Sequence, residues 1–129
     1  MIFIDASFFI AAVNKQDQWH KSAGDILPLI KEEKKITTDL ILSESVTLVG
    51  SLFGGKEGMK LFNYIWDNHE IYYLSKETIF NAMKTFLQHD GTLSFADSVS
   101  VEVMRNLKID RIVSFDSDFD KVDVIRIHE

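Results

Sequence analysis

The 129-residue chain has no cysteine, one proline and six glycines. Without cysteine there is neither a disulfide framework nor a thiolate zinc site, and a reducing compartment is compatible. The lone proline is Pro28, and the glycines sit mostly in short breaks such as Gly54-Gly55 and Gly91. No linker, internal repeat or low-complexity run interrupts the chain, so residues 1–129 are expected to form a single domain. No glycine-rich loop is available to cradle phosphates, which counts against nucleotide hydrolysis. No apolar run spans a bilayer either. The opening MIFIDASFFIAAV is only about thirteen residues, lacks a basic leader and carries Asp5 in its middle. It reads as a core strand followed by a helix, and the expected location is cytoplasmic, away from membranes.

Positive charge is also scarce. Fourteen Lys and Arg face twenty Asp and Glu, for a net charge of −6. A passive nucleic-acid binder normally presents a basic footprint, so this balance counts against one. It counts less against an enzyme that gathers its acids at a metal site, because bound divalent ions invert the local field. Apolar residues, by contrast, are plentiful at 46 %, with ten Phe, three Tyr and two Trp. That supply fills a core and argues against disorder.

Helical and strand-like patterns alternate. Ile2 to Ile4 is a short apolar strand, Ala6 to Val13 a helix, and Gln18 to Lys34 a second helix interrupted near Pro28. Lys35 to Thr37 is a short strand. Asp39 to Phe53 places Leu40, Ile41, Leu48, Val49 and Leu52 at helical spacing and ends at Gly54-Gly55. Lys56 to Asn68 is another helix, and Ile71 to Leu74 a strand rich in β-branched and aromatic residues. Ser75 caps a helix to about His89, and Ser94 caps one to about Leu107. Arg111 to Phe115 is a strand, and Val122 to Ile127 alternates like a last one. Strands alternating with helices of this length imply an α/β fold of three layers, α/β/α, around a central, mainly parallel sheet. In such sheets ligands bind outside the carboxyl ends of the strands.

Acids stand at those ends. Asp5 directly follows the first strand and Asp116 the strand RIVSF. Each also suits a lesser role, Asp5 as a helix cap and Asp116 at the start of a turn. Glu44 lies on or beside the apolar stripe of its helix, one turn from Leu40, Ile41, Thr47 and Leu48. It is either buried, and then paired, protonated or metal-bound, or at the stripe's edge and in solvent. Asp97 stands three residues after Ser94, a capping-box spacing that also fixes it in the first turn of a helix near the sheet edge. Jointly, Asp5, Glu44, Asp97 and Asp116 are the oxygen donors that hard cations such as Mg²⁺ and Mn²⁺ take. Without a cation such a cluster repels itself. With one it orients water and holds the oxygens of an in-line displacement at phosphorus, so phosphodiester hydrolysis fits.

Other acid sites fit less well. An EF-hand loop starting at Asp116 would need Gly at Lys121 and an acid at Ile127. A receiver domain would need an acid pair after the first strand and a Lys after the last. His20, His69, His89 and His128 are scattered, as surface or core residues are.

With IDASFFIAAV at the start, HKSA at His20 to Ala23, TTDLILSES around Glu44, LSFADSVSVEVM around Asp97 and IVSFDSDFD around Asp116, the chain resembles the PIN-domain ribonucleases. It is similar in particular to the VapC-type toxins of type II toxin–antitoxin pairs. The pieces run in family order over nearly the whole chain. The resemblance implies a parallel α/β fold, Mg²⁺ or Mn²⁺ at the acids, and single-stranded or structured RNA as substrate. Carried over by position, Asp5, Glu44, Asp97 and Asp116 form the catalytic, metal-holding pocket. Asp118 matches a more variable fifth acid, and Ser7 and Ser114 match hydroxyl positions lining the pocket. Ser114 departs from the more common Thr, and Glu102 and Met104 stand where small apolar residues are frequent. Neither departure touches the four acids.

The alternative from another class is a PIN-like module that has lost catalysis and binds proteins. The intact acids argue against it, and the acidic charge and aromatic-rich helices argue mildly for a protein partner. Phe8, Phe9, Trp19, Phe53, Phe62 and Trp66 either belong to the core or supply a homodimer contact or a seat for an antitoxin segment.

Overall fold

A computed structural model describes residues 1–129. Its elements are β1 (Ile2–Ile4), α1 (Ala6–Val13), α2 (His20–Ile30), β2 (Lys35–Thr38), α3 (Asp39–Phe53), α4 (Gly55–Asn68), β3 (Glu70–Tyr72), α5 (Lys76–Gln88), α6 (Phe95–Leu107), β4 (Arg111–Val113) and β5 (Ile125–Ile127). A 3-10 turn, Ser117–Lys121, lies between β4 and β5. The five strands form one sheet in the order β3-β2-β1-β4-β5, and every neighbouring pair is parallel.

β1 is wholly buried at the sheet's centre, which is why its sequence is an unbroken apolar run rather than an alternating one. The edge strands are more exposed, with Glu70 and Ile125 in solvent. The chain moves outward from β1 through β2 to β3, then crosses back to β4 and β5. Right-handed crossovers therefore lay α1 to α4 on one face and α5 with α6 on the other. The helices group accordingly, α1 against α2 and α3, α3 against α4, and α5 against α6. The direction of winding reverses between β1 and β4. The crevice outside their carboxyl ends is the switch point at which such folds bind ligands.

Caps set the helix starts. Thr38 Oγ1 accepts from the Ile41 amide, Ser75 Oγ from Thr78 and Ser94 Oγ from Asp97, at 3.0 to 3.1 Å. α3 stops at Gly54, whose φ of 97° favours glycine. α4 then folds back so closely that a Cβ on Gly58 would lie 3.3 Å from the Val46 carbonyl oxygen.

Several elements are shorter than their sequence patterns suggest: β3 ends at Tyr72 rather than Leu74, β4 ends at Val113 rather than Phe115, and α2 and the last strand are cut back as well. α2 begins at His20 rather than Gln18, because Asp17 Oδ1 accepts from the Trp19 amide and its carbonyl accepts from His20, closing a separate turn. It ends at Ile30, two residues past Pro28, instead of running to Lys34. The Lys35 ammonium closes that end by donating to the carbonyls of Ile30, Lys31 and Glu33. The last strand begins at Ile125 rather than Val122. Asp116 Oδ1 accepts from the Asp118 amide and starts the 3-10 turn, and the Val122 amide then donates to Phe119 instead of to a neighbouring strand.

The core is one cluster of 26 buried apolar residues, with Phe3, Phe8, Phe9 and Phe119 among its largest side chains. Phe119 comes from the 3-10 turn, so it anchors the loop that carries Asp116 and Asp118. Replacing it with Ala is expected to cost about 3–5 kcal/mol through lost contacts and the cavity left behind. Urea unfolding measures this, and an unchanged midpoint would show that the turn is held by its polar contacts alone.

Candidate active site

The switch-point crevice is a cleft of about 470 Å³. Asp5, Glu44, Asp97, Asp116, Asp118 and Ser7 line it, together with Asp17, Trp19, Ser94, Ser100 and Phe115. Four elements that are distant in sequence thus deliver their acids to one place: the end of β1, the middle of α3, the first turn of α6 and the loop after β4.

Asp5 lies deepest, 7 % exposed. Its backbone has the extended conformation of an N-cap, yet its side chain makes no cap bond. Oδ2 instead accepts from Ser7 Oγ at 2.9 Å and Ser114 Oγ at 2.7 Å. Ser7 Oγ also accepts from the Phe115 amide at 3.0 Å, and Ser114 Oγ from the Asp116 amide at 3.0 Å. The two serines therefore tie the start of α1 to the loop after β4. Ser114 is fully buried below the cleft, whereas Ser7 also reaches its lining.

Asp116 and Asp97 each combine a structural bond with a place in the cleft. Asp116 caps the 3-10 turn through Oδ1, and Asp97 gives its amide to the Ser94 cap. Glu44 is exposed at the edge of its apolar stripe and still borders the cleft. One carboxylate oxygen from each of Asp97, Asp116 and Asp118 lies within 4.8 Å of the others. Asp118 thus belongs to this trio. It is restrained by an ion pair with Lys121 at 2.9 Å.

These acids disfavour one another's charge. Burial and then the neighbouring Asp5 and Asp116 push the Asp97 carboxyl up to about 7. Burial raises Asp5, opposed by its serine donors and reinforced by Asp116. Glu44 is raised by burial and by Asp5. Nearby cations do little to relieve this. Arg126 forks onto Asp120 at 2.9 and 3.0 Å and gives its remaining nitrogen to the Ser114 carbonyl, while Lys121 pairs with Asp118. A divalent cation with oxygen ligands fits this donor set. Ligand oxygens around Mg²⁺ stand roughly 3–4 Å apart, so the trio needs only a small closure to meet one.

An all-parallel α/β sheet with an acid cleft at its winding reversal defines a class of proteins built to handle cations or polar substrates at the strand ends. The PIN domain family narrows that class: its model matches residues 2–125, and the chain belongs to the PIN domain family. No curated protein matches the sequence significantly. Among solved structures, the chain is similar to VapC20 of Mycobacterium tuberculosis, described as a sarcin–ricin loop cleaving toxin. The TM-score is 0.89 at 24 % identity, with full coverage of both chains. It is also similar to VapBC2 from Rickettsia felis, bound to a DNA fragment from their promoter, with a TM-score of 0.71 at 16 % identity over 98 % of each chain. FitAcB from Neisseria gonorrhoeae follows, with a TM-score of 0.70 at 14 % identity over 98 % of this chain and 96 % of the other. At these identities the likeness establishes the fold.

Sequence patterns alone do not point to Trp19 or Ser100 as cleft residues. Trp19 precedes its helix and so belongs to no periodic face. Ser100 follows Asp97 by three positions, one helical turn on, and that spacing is a usable signal.

The raised carboxyls link stability to pH. Asp97, Asp5 and Glu44 hold protons more readily in the folded protein than in the unfolded chain. Stability that these groups permit at low pH is therefore lost as pH rises, for Asp97 from the ordinary Asp value of 3.8 to about 7. Without divalent cations the urea midpoint should fall from pH 5 to pH 8, and Asp97→Asn should flatten the slope. A wild-type midpoint that rises over this range would contradict the mutual repulsion.

Proposed function

We propose that this chain is a divalent-metal-dependent endoribonuclease, a hydrolase of RNA phosphodiester bonds, acting in the cytoplasm as the toxin of a type II toxin–antitoxin pair. The observation that carries this reading is the convergence of Asp5, Glu44, Asp97, Asp116 and Asp118 on one cleft of a PIN domain, with three carboxylates within 4.8 Å. The likeness to a toxin described as cleaving the sarcin–ricin loop supports RNA as the substrate class.

In this reading Asp5, Glu44, Asp97 and Asp116 hold Mg²⁺ or Mn²⁺, and Asp118 assists. When bound, the metal supplies charge neutralisation and activation of water for attack at phosphorus. The protein's part is to fix the donors. Ser7 and Ser114 orient Asp5 by donating to Oδ2. Asp116 is held through its own amide and through Oδ1. Asp97 would give up its carboxyl proton once a cation compensated its neighbours.

Partners follow from the surface. Phe8 and Phe9 are core, but Phe53, Met59 and Trp66 on α3 and α4 are about half exposed, and Phe80 and Leu87 on α5 more so. Such aromatic and apolar surface suits a second copy of the chain and an antitoxin segment. The likeness to VapBC2 and FitAcB supports a partner of this kind. Sedimentation at micromolar concentration should give a homodimer, and a monomer at high concentration would remove that part of the reading.

Purified protein incubated with a sarcin–ricin hairpin and with total RNA is expected to cleave RNA, to lose activity in excess chelator and to regain it with Mg²⁺ or Mn²⁺. Full activity in chelator would overturn metal dependence, and absence of any cleavage would favour a binding module. Asp5→Asn and Asp97→Asn should abolish cleavage while the folded circular dichroism spectrum persists. Asp118 already has Lys121 as a counter-ion, so Asp118→Asn should cost about 10–100-fold, the usual scale for a supporting residue, and Asp116→Asn more. Titrating Mg²⁺ against rate for the two variants tests this order. A dead Asp118→Asn beside a near-normal Asp116→Asn would reverse it.

A further inference from the structure

We propose that Trp19 is a stacking platform for an unpaired nucleobase next to the scissile phosphate. The inference rests on the ribonuclease reading and specifies how that cleft holds its substrate. Trp19 lines the same cleft as the acids and is 39 % exposed. One face of its ring is committed, lying on Phe115 at a centroid distance of 5.4 Å and an interplanar angle of 5°. Phe115 is itself nearly buried and stacks on Phe8 of the core at 6.3 Å and 28°. A column of three aromatic rings therefore rises from the core and ends in an indole at the cleft.

The backbone that carries the indole is held in advance. Asp17 Oδ1 accepts from the Trp19 amide at 2.8 Å, and the Trp19 carbonyl accepts from Ala23 at 2.9 Å as α2 begins. The next residue, His20, bonds through Nδ1 to the Ala11 carbonyl at 2.7 Å. An indole packed on one face against Phe115 and carried on a fixed backbone loses little entropy when a base settles on its other face. Its position is also tied to the chemistry. Phe115 stands between Ser114, which donates to Asp5, and Asp116, which lines the cleft. A base stacked on Trp19 thus sits beside the residues that hold the acids.

Charge favours the same mode. Phosphate contacts normally dominate nucleic-acid affinity, yet this chain carries −6 and its nearest cations are engaged, Arg126 by Asp120 and Lys121 by Asp118. Stacking of a base on an aromatic ring needs no net charge and tolerates any base. Recognition through a splayed-out base selects unpaired RNA, in which the base is free to leave its own stack.

The test uses the shortest RNA that the wild-type protein cleaves, and a series in which each nucleotide in turn is replaced by an abasic ribose. Trp19→Ala should raise KM about ten- to hundredfold with little change in kcat, and Trp19→Phe should recover most of the loss. One abasic position should raise the wild-type KM by a similar factor, and on that RNA Trp19→Ala should add nothing further. In a Trp66→Phe background Trp19 is the sole indole, and its fluorescence should be quenched by the intact RNA and not by that abasic one. If Trp19→Ala leaves KM unchanged, or penalises intact and abasic RNA alike, the platform is overturned. The indole is then a packing element or a protein contact. If the wild-type protein cleaves no RNA at all, the ribonuclease reading itself fails, which is a separate result.

Discussion

A carboxylate buried at the end of the central strand constrains most of what surrounds it. Asp5 is taken out of water by the strand that precedes it, and a bare charge there is costly. Two serine hydroxyls offset part of that cost by converging on one oxygen. Those same hydroxyls accept the amides of Phe115 and Asp116, so the loop after β4 takes the shape that solvating Asp5 requires. Asp116 then caps its own turn, the turn sends Phe119 into the core, and the loop is locked from below. One buried charge thereby organises two strand ends, a helix start and a 3-10 turn.

The sheet order makes this possible. β1 and β4 are neighbours on which the winding reverses, so the loops leaving them splay apart and open a crevice. An ordinary hairpin or a singly wound sheet would close over the same residues. α3 and α6 pass on opposite faces and bring Glu44 and Asp97 to the crevice from either side, to meet Asp5 and Asp116 from distant parts of the chain. The protein's own cations compensate the resulting field only at Asp118, through Lys121. The mutual repulsion of the other acids costs stability and makes the site receptive to a divalent ion, the usual trade between a stable fold and a functional one.

The parts legible in the sequence were those set by short-range rules. β1 is an apolar run that ends at Asp5, β4 is a strand followed within a short loop by Asp116, and the caps at Ser75 and Ser94 mark helices at the positions where they start. The alternation of the elements was enough to expect a parallel sheet. Features decided by competing local turns or by long-range contacts were not legible in this way. Asp17 competes locally with α2 and shortens it. Glu44 proves exposed because its helix turns the apolar stripe just past it, a matter of a fraction of a turn. The turn after Asp116 is suggested by its Ser and Asp residues, but the closeness of Asp118 to Asp97 across the cleft is not. Trp19 could be placed only with Phe115, its stacking partner from the far end of the chain.

The acidity of the whole chain finally bears on how its cleft would select a partner. A polyanion gains little from approaching a surface of net charge −6, and long-range steering is weak or adverse. On the proposed reading, discrimination would be left to contacts made at close range: the carboxylates with any metal they hold, and an aromatic face at the cleft. Both are short-ranged and geometrically demanding, and neither rewards an RNA that merely carries charge. A basic cleft would bind many RNAs and cut some of them. On the ribonuclease reading proposed above, an acidic cleft lined by an indole would instead tie binding to a metal and to one exposed base, so that affinity and cleavage would depend on the same local geometry.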